Sequence, residues 1–142
     1  MPRIEDSLKA FIGIMRLSDQ FERILKGEIA KFGLNTTEFA VLEILYHKGD
    51  LPIQQVAEKI LIASSSTTYV VDKLQAKGLL ERKQCQKDKR VTYAAISSKG
   101  CQLMDEIFPI HETQISALFA NLEDQEVSQL RQMLKRVAQT HQ

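Results

Sequence analysis

The chain has 142 residues, enough for one compact domain, and its 44% hydrophobic and 26% charged residues are ordinary for a globular protein. No apolar run reaches the roughly 18 residues that a transmembrane helix needs, and the acidic N-terminus lacks the apolar segment of a signal peptide. Two cysteines are too few for a disulfide framework, so the sequence predicts a protein without membrane contact that resides in the cytoplasm.

The net charge of +1 conceals an uneven distribution of charge. Between Lys59 and Arg90, eight basic residues stand against three acidic ones, so this stretch carries +5 and the rest of the chain −4. A basic centre between acidic flanks suits contact with a polyanion such as a nucleic acid. The alternative interpretation is an ordinary solvated surface.

Two helices are predicted in the first third of the chain. Apolar residues recur at helical spacing from Ser7 to Phe32, and Gly33 is a plausible C-cap. Asn35 is the predicted N-cap of the second helix, and Glu38 follows it at the spacing of a capping box. The second helix is expected to end at Gly49-Asp50.

The middle of the chain predicts two short helices around a tight turn. Leu51-Pro52 is a short extended piece, because the residue before a proline avoids helical geometry. A third helix is expected from Ile53 to Ile60, with Val56 and Ala57 inward, followed by a turn over residues 61–63. The fourth helix runs from Ser64 to about Ala76 and is stopped by Gly78.

A hairpin and two more helices complete the predicted elements. The strands of the hairpin are residues 79–85 and 91–96, joined by a charged loop over residues 86–90. Ser97 or Ser98 begins a fifth helix to about Leu122, in which Pro109 is expected to cause a kink or break near Phe108. Asp124 opens the last helix. The order predicts a mainly α fold with a small β-hairpin wing, a winged helix-turn-helix.

The start of the fourth helix carries a run of hydroxyl groups that a buried helix does not need. Such groups can bond to base edges in the DNA major groove, and threonine methyl groups can contact thymine. Surface hydroxyls without a DNA partner are the alternative. The run consists of Ser64, Ser65, Ser66, Thr67, Thr68 and Tyr69.

The loop of the hairpin is basic, with one acidic exception. Lys87, Lys89 and Arg90 suit phosphates or the minor groove. Asp88 lies two residues before Arg90 and is expected to hold the guanidinium in a fixed pose through a bidentate pair. A plain turn, which also favours aspartate, is the alternative.

Residues 34–100 resemble the MarR family of winged-helix regulators. The resemblance rests on Lys73 to Arg82 (KLQAKGLLER), on Asp88-Lys89-Arg90, and on Ile96 to Gly100 (ISSKG), where Ile-Ser replaces the usual Leu-Thr. It implies a homodimer, an inverted-repeat operator in double-stranded DNA, and an effector that weakens DNA binding. Residues 37–43 and 46–49 further resemble the MhqR-like subgroup, which responds to quinones and catechols.

The resemblance and the apolar pattern together predict the domain organisation. We expect a single domain over residues 1–142, with residues 34–100 as the DNA-binding lobe and residues 1–32 and 101–142 as dimerisation helices. An intramolecular core is the alternative for part of the apolar stripe. The candidate interface residues are Ile107, Ile110, Ile115, Leu118, Phe119, Leu122 and Val137.

We assign the predicted DNA contacts by side-chain chemistry. Asp88 and Arg90 anchor the wing, and Thr67→Ala is expected to change sequence preference. The residues expected to read or approach bases are Ser64, Ser65, Ser66, Thr67, Thr68 and Lys73. Those expected to meet phosphates are Thr36, Thr37, Lys59, Lys77, Arg82, Lys87 and Lys89.

The sensing site is predicted from the geometry that the family resemblance implies. An effector pocket would be lined by Met15, Phe39, Tyr46, Phe108 and His111, with plain core packing as the alternative. Cys85 is the candidate redox residue, because neighbouring lysines favour the reactive thiolate; an inert thiol is the alternative.

No enzyme, metal or cofactor site is predicted. The six glycines are scattered, and the histidines lack a second ligand at metal-like spacing. A winged-helix module that binds partner proteins, without specific DNA binding, remains the second functional hypothesis.

Overall fold

The computed structural model describes residues 1–60 and 64–139, with side chains from residue 66 onward in the second range. These ranges contain six helices and three strands. In chain order they are α1 (Pro2–Ala30), α2 (Thr36–Lys48), β1 (Leu51–Pro52), α3 (Ile53–Ile60), α4 (Ser64–Ala76), β2 (Leu80–Gln84), β3 (Thr92–Ile96), α5 (Ser98–Leu118) and α6 (Asp124–Gln139). The predicted winged helix-turn-helix is confirmed, while the predicted turn over residues 61–63 lies outside the described residues.

Residues Met1–Asp105 form one compact unit and Glu106–Gln142 a second. In the first unit, α2, α3 and α4 contact one another, and a three-stranded antiparallel sheet of order β1-β3-β2 lies beside them. The β2–β3 hairpin is in register from Leu80 opposite Ile96 to Gln84 opposite Thr92. The hairpin is therefore attached to the helix-turn-helix by β1, which pairs with β3.

Local sequence signals fix the boundaries of α2. The Asn35 side chain accepts the Glu38 backbone N–H at 2.8 Å, and the Glu38 carboxylate accepts the Asn35 N–H at 2.9 Å. This reciprocal pair confirms the predicted capping box, which satisfies backbone donors that a helix start leaves free. At the other end Gly49 has φ 83°, a conformation that glycine adopts without steric cost.

The core of the first unit joins every element of the winged helix. Val56 and Ala57 point inward from α3 as predicted. Apolar side chains at helical spacing on α2 and α4 meet the inward-facing residues of the sheet, which is the packing that makes these short elements stable. Residues of this unit that are at most 1% exposed are Val41, Leu42, Leu45, Val56, Thr67, Val71, Leu74, Leu80, Ala94, Ala95 and Met104.

Two helices differ from their predicted bounds. Helix α1 begins at Pro2 rather than Ser7, because proline fits the first helical turn, where no backbone donor is required. The break expected near Phe108 does not occur: α5 continues through Pro109 and ends at Leu118 rather than Leu122. One missing backbone donor does not end a helix of 21 residues.

One of the predicted interface residues is buried, whereas the first part of α1 is exposed as a dimerisation helix would be. Ile107 is 3% exposed, so it is buried within this chain and is not a free interface residue. On α1, by contrast, Leu8, Phe11 and Met15 are 57–63% exposed. The apolar stripe predicted for this helix is therefore exposed in its first half, whereas Ile29 near its end is 2% exposed.

Candidate nucleic-acid interface

Helix α4 turns one face into the core and the opposite face to solvent. Thr67, Val70, Val71 and Leu74 are 0–8% exposed and repeat at helical spacing. The expectation that Thr67 reads bases is therefore wrong, because a side chain with no exposed surface cannot reach a base edge. The hydroxyl run is split by the helical period, and Thr67 belongs to the buried side.

The outward face of α4 presents polar and aromatic groups. Ser66, Thr68, Tyr69 and Lys73 are exposed. The Lys73 ammonium lies 5.3 Å from the centroid of the Tyr69 ring, a cation–π arrangement one helical turn apart. The side chains of Ser64 and Ser65 lie outside the described part of the structure.

Arg82 connects the first wing strand to α4. Its guanidinium donates to Asp72 at 2.6 Å and also bonds to the Gln75 side chain. Both groups that this guanidinium engages lie within the fold, so Arg82 joins β2 to α4. Its side chain is 29% exposed, and its predicted contact with phosphate stays a prediction.

Lys77 is also engaged within the fold. Its ammonium donates to Glu38 at 2.8 Å and to the Gly33 carbonyl at 2.9 Å, and the Glu38 side chain is 4% exposed. A buried carboxylate needs such a partner. This lysine therefore ties the end of α4 to the capping box of α2, and its expected contact with phosphate stays a prediction.

The wing tip has the predicted aspartate–arginine pair. Arg90 donates to Asp88 through Nε at 3.1 Å and Nη2 at 3.3 Å, and its backbone N–H donates to Asp88 Oδ1 at 3.0 Å. The hydrogen bond from the Arg90 guanidinium, and then the one from its backbone, hold the pKa of Asp88 below its usual range. The Arg90 side chain is still 92% exposed, so its charge faces solvent in a defined pose.

The other predicted phosphate ligands lie at the surface of the first unit. Lys87 and Lys89 are exposed in the loop between β2 and β3, and Lys59 is exposed near the end of α3. Thr36 and Thr37 are half-buried in the first turn of α2. A further cation, Lys83 on β2, pairs with Asp50 at 3.5 Å.

A cavity of about 440 Å³ lies between α2 and the end of α3. Its size falls in the range of small-molecule sites. Glu43, His47 and Lys48 supply its polar wall from α2, and Lys59 does so from α3. Apolar lining comes from Ala40, Ile44 and Ile60.

The residues predicted to form an effector pocket do not line this cavity. Phe39 is 3% exposed in the core, whereas Met15 is 57% exposed on α1. Tyr46 donates to Asp105; this hydrogen bond, burial and the charges of Asp105 and Cys101 together raise the pKa of Tyr46. Phe108 and His111 contact each other on α5, with ring centroids 5.8 Å apart.

The two cysteines are half-buried and are not joined in a disulfide. The Cys85 N–H donates to the Val91 carbonyl at 2.9 Å, which places the thiol at the base of the wing loop. Across residues 1–60 and 64–139, no three His, Cys, Asp or Glu side chains converge as a metal site. Of the helices in this described part, none combines the length and the apolar character needed to cross a bilayer.

A helix-turn-helix joined to a hairpin with a cationic tip defines the class of winged-helix DNA-binding proteins. The MarR family model matches residues 34–92, which cover the helix-turn-helix, β2 and the cationic tip of the hairpin. The HTH-type transcriptional regulator MhqR of Bacillus subtilis (strain 168) is 51% identical over 94% of this chain and 92% of its own length. This chain belongs to the MarR family, in its MhqR-like subgroup, and is a transcription regulator by that membership.

Solved structures share the fold at lower identity. A MarR variant from Escherichia coli in complex with operator DNA matches with a TM-score of 0.83 and 20% identity, over 93% of this chain and 95% of the other. NadR in complex with 4-hydroxyphenylacetate matches with a TM-score of 0.78 and 20% identity, over 89% and 90%. At this identity the likeness shows the fold.

Proposed function

We propose that this chain is a homodimeric repressor that binds an inverted-repeat operator through α4 and the wing and leaves it when a small phenolic or thiol-reactive signal is present. The observation that carries this proposal is the Arg82–Asp72 bridge, which joins the cationic hairpin to α4 next to its exposed face. The E. coli relative solved with operator DNA supports this role. As a regulator of chromosomal DNA, the protein would act in the cytoplasm and catalyse no reaction.

The proposed dimer is supported by apolar surface that the chain does not cover. Ile4, Leu8, Phe11 and Met15 lie on α1 at helical spacing and are 57–63% exposed. Apolar patches of this extent mark interaction surfaces. The second unit separately exposes Ile110, Met133, Leu134 and Val137 at 46–57%. We propose residues 1–32 and 101–142 as the dimerisation helices of a single functional domain around the lobe of residues 34–100.

The test of operator binding is an affinity titration as a function of salt. The logarithm of the association constant should fall with the logarithm of salt concentration at about 0.9 per phosphate neutralised. Arg90→Ala should weaken binding to every sequence. Arg131→Ala, which removes an exposed cation from α6, is the charge-matched control when gel filtration shows that it has the same oligomeric state as the native protein. A protein-interaction module without specific DNA binding would show no preference between an inverted repeat and a scrambled duplex.

The proposed effector route uses the cavity between α2 and α3. NadR, solved with a phenolic acid, supports a small aromatic ligand. Ile44→Trp fills the cavity and should abolish release from DNA by catechol or hydroquinone, whereas Met15→Ala should retain it. If Ile44→Trp is still released from DNA by the effector and Met15→Ala is not, the result would favour a pocket at the residues predicted from sequence.

The thiol route remains a separate proposal with its own test. Cys85 lies at the base of the wing loop, so modification there would disturb the DNA-binding element. Quinone treatment should lower operator affinity in the native protein and in Cys101→Ser but not in Cys85→Ser. If Cys85 is modified and the operator affinity does not change, regulation through this thiol is excluded.

A further inference from the structure

Tyr69 occupies the centre of the solvent-facing side of α4. The buried residues Thr67, Val70, Val71 and Leu74 define the opposite side of the helix. With 3.6 residues per turn, Tyr69 projects almost directly away from that buried centre. Its side chain is 61% exposed, which makes it a large apolar group on a face that otherwise carries polar residues.

Lys73 restrains the Tyr69 ring. The ammonium lies 5.3 Å from the ring centroid, and the two residues are one helical turn apart. A cation over an aromatic face is attracted by the ring quadrupole, which limits the orientations that the ring samples. The contact therefore favours ring orientations on the outer face of α4 before any ligand arrives.

The charge next to Tyr69 is compatible with a polyanion. Asp72 lies three residues further along the same face and would repel phosphates if its charge were uncompensated. Its carboxylate instead accepts from Arg82 at 2.6 Å. The neighbours of the Tyr69 ring are therefore a cation, Lys73, and a carboxylate, Asp72, whose charge is compensated by Arg82.

We propose that Tyr69 is a specificity-determining residue that contacts the 5-methyl group of thymine in the major groove. Apolar side chains recognise this methyl group, which distinguishes thymine from the other bases. The exposed face of a recognition helix is the part that enters the groove. This inference rests on the proposed DNA-binding function and names one source of its sequence preference.

The test combines a protein substitution with removal of the methyl group from DNA. A duplex is first selected from a randomised pool by the native protein, and each thymine is then replaced singly by deoxyuridine, which lacks only the methyl group. For the native protein, replacement at the contacted thymine should weaken binding about four-fold, the equivalent of about 0.8 kcal/mol for one buried carbon group. Tyr69→Ala should bind more weakly and lose this sensitivity, whereas Tyr69→Phe should retain it.

The controls separate this inference from the proposed function. Arg90→Ala should weaken binding while retaining the native response to deoxyuridine, because Arg90 lies on the wing. If Tyr69→Ala responds to each deoxyuridine replacement as the native protein does, the proposed role of Tyr69 is wrong, and operator binding is unaffected by that result. If the native protein selects no duplex, the proposed function fails first and this inference fails with it.

Discussion

Arg82 on β2 donates to Asp72 on α4 across 2.6 Å, and this pair links the two elements that a winged helix presents to DNA. The Arg82 side chain is 29% exposed and that of Asp72 is 60% exposed, so solvent screens the pair. Its direct contribution to stability is expected to be small, at most about 1 kcal/mol. The pair matters because it joins the wing to α4 beside the face that is proposed to meet DNA.

Replacing Arg82 should therefore affect DNA binding through geometry rather than through charge. Arg82→Gln is expected to lower operator affinity several-fold without changing the slope of log affinity against log salt. Asp72→Asn should have a similar effect, because it removes the other half of the same pair. A slope that falls by about 0.9 in Arg82→Gln alone would instead indicate a direct phosphate contact.

Substitutions at Lys77 should act on stability. Lys77→Met leaves the carboxylate of Glu38, a residue 3% exposed, without its cationic partner, and we expect a loss of about 1–3 kcal/mol in the free energy of unfolding. Glu38→Gln should cost less, since an amide oxygen can still accept the Asn35 N–H. Urea denaturation measures both, and their double variant should cost less than the sum of the two. Additive costs would show that the two side chains do not interact.

The sequence predicted what short-range rules control. Residues Ile53–Ile60 form α3 with the predicted bounds, and the Asn35–Glu38 capping box is present, because both depend on residues within one helical turn. The Asp88–Arg90 pair was predictable for the same reason: its partners are two residues apart.

What the sequence did not reveal depends on partners distant along the chain. Arg82 and Lys77 looked like free cations, yet Lys77 pairs with Glu38, 39 residues away. Thr67 looked like its neighbours in a hydroxyl run, but the phase of α4 against the core decides which of them are buried. Tyr69 was grouped with that hydroxyl run but was not among the assigned base contacts, although its position two residues after Thr67 places it on the outer face.

Protonation of Asp88 should break its pair with Arg90 at the tip of the hairpin only at low pH. Arg90 lowers the pKa of Asp88, so the carboxylate form stabilises the tip above the ordinary value of about 3.9, and this contribution disappears as pH falls through the lowered pKa. An NMR titration of the Asp88 carboxyl carbon should have its midpoint below that ordinary value. Arg90→Ala should move the midpoint upward, and an unchanged midpoint would mean that the pair does not form in solution.

Gly100 lies where the hairpin returns to α5, and no larger residue fits there. A Cβ built on it would lie 2.7 Å from Ile96 Cγ1 and closer still to the Leu79 carbonyl oxygen, a backbone atom that cannot rotate away. Because the clash is with backbone, we expect Gly100→Ala to destabilise the protein by about 1–3 kcal/mol.

Gly27 on α1 is the matched control, because a Cβ there would meet nothing within 4 Å. Gly27→Ala should raise the free energy of unfolding by about 0.5–1 kcal/mol, since alanine loses less backbone entropy in a helix. Thermal and urea denaturation of both variants measure the contrast. Equal stability of the two variants would mean that the contact between residue 100 and the Leu79 backbone is not as close as the structure places it.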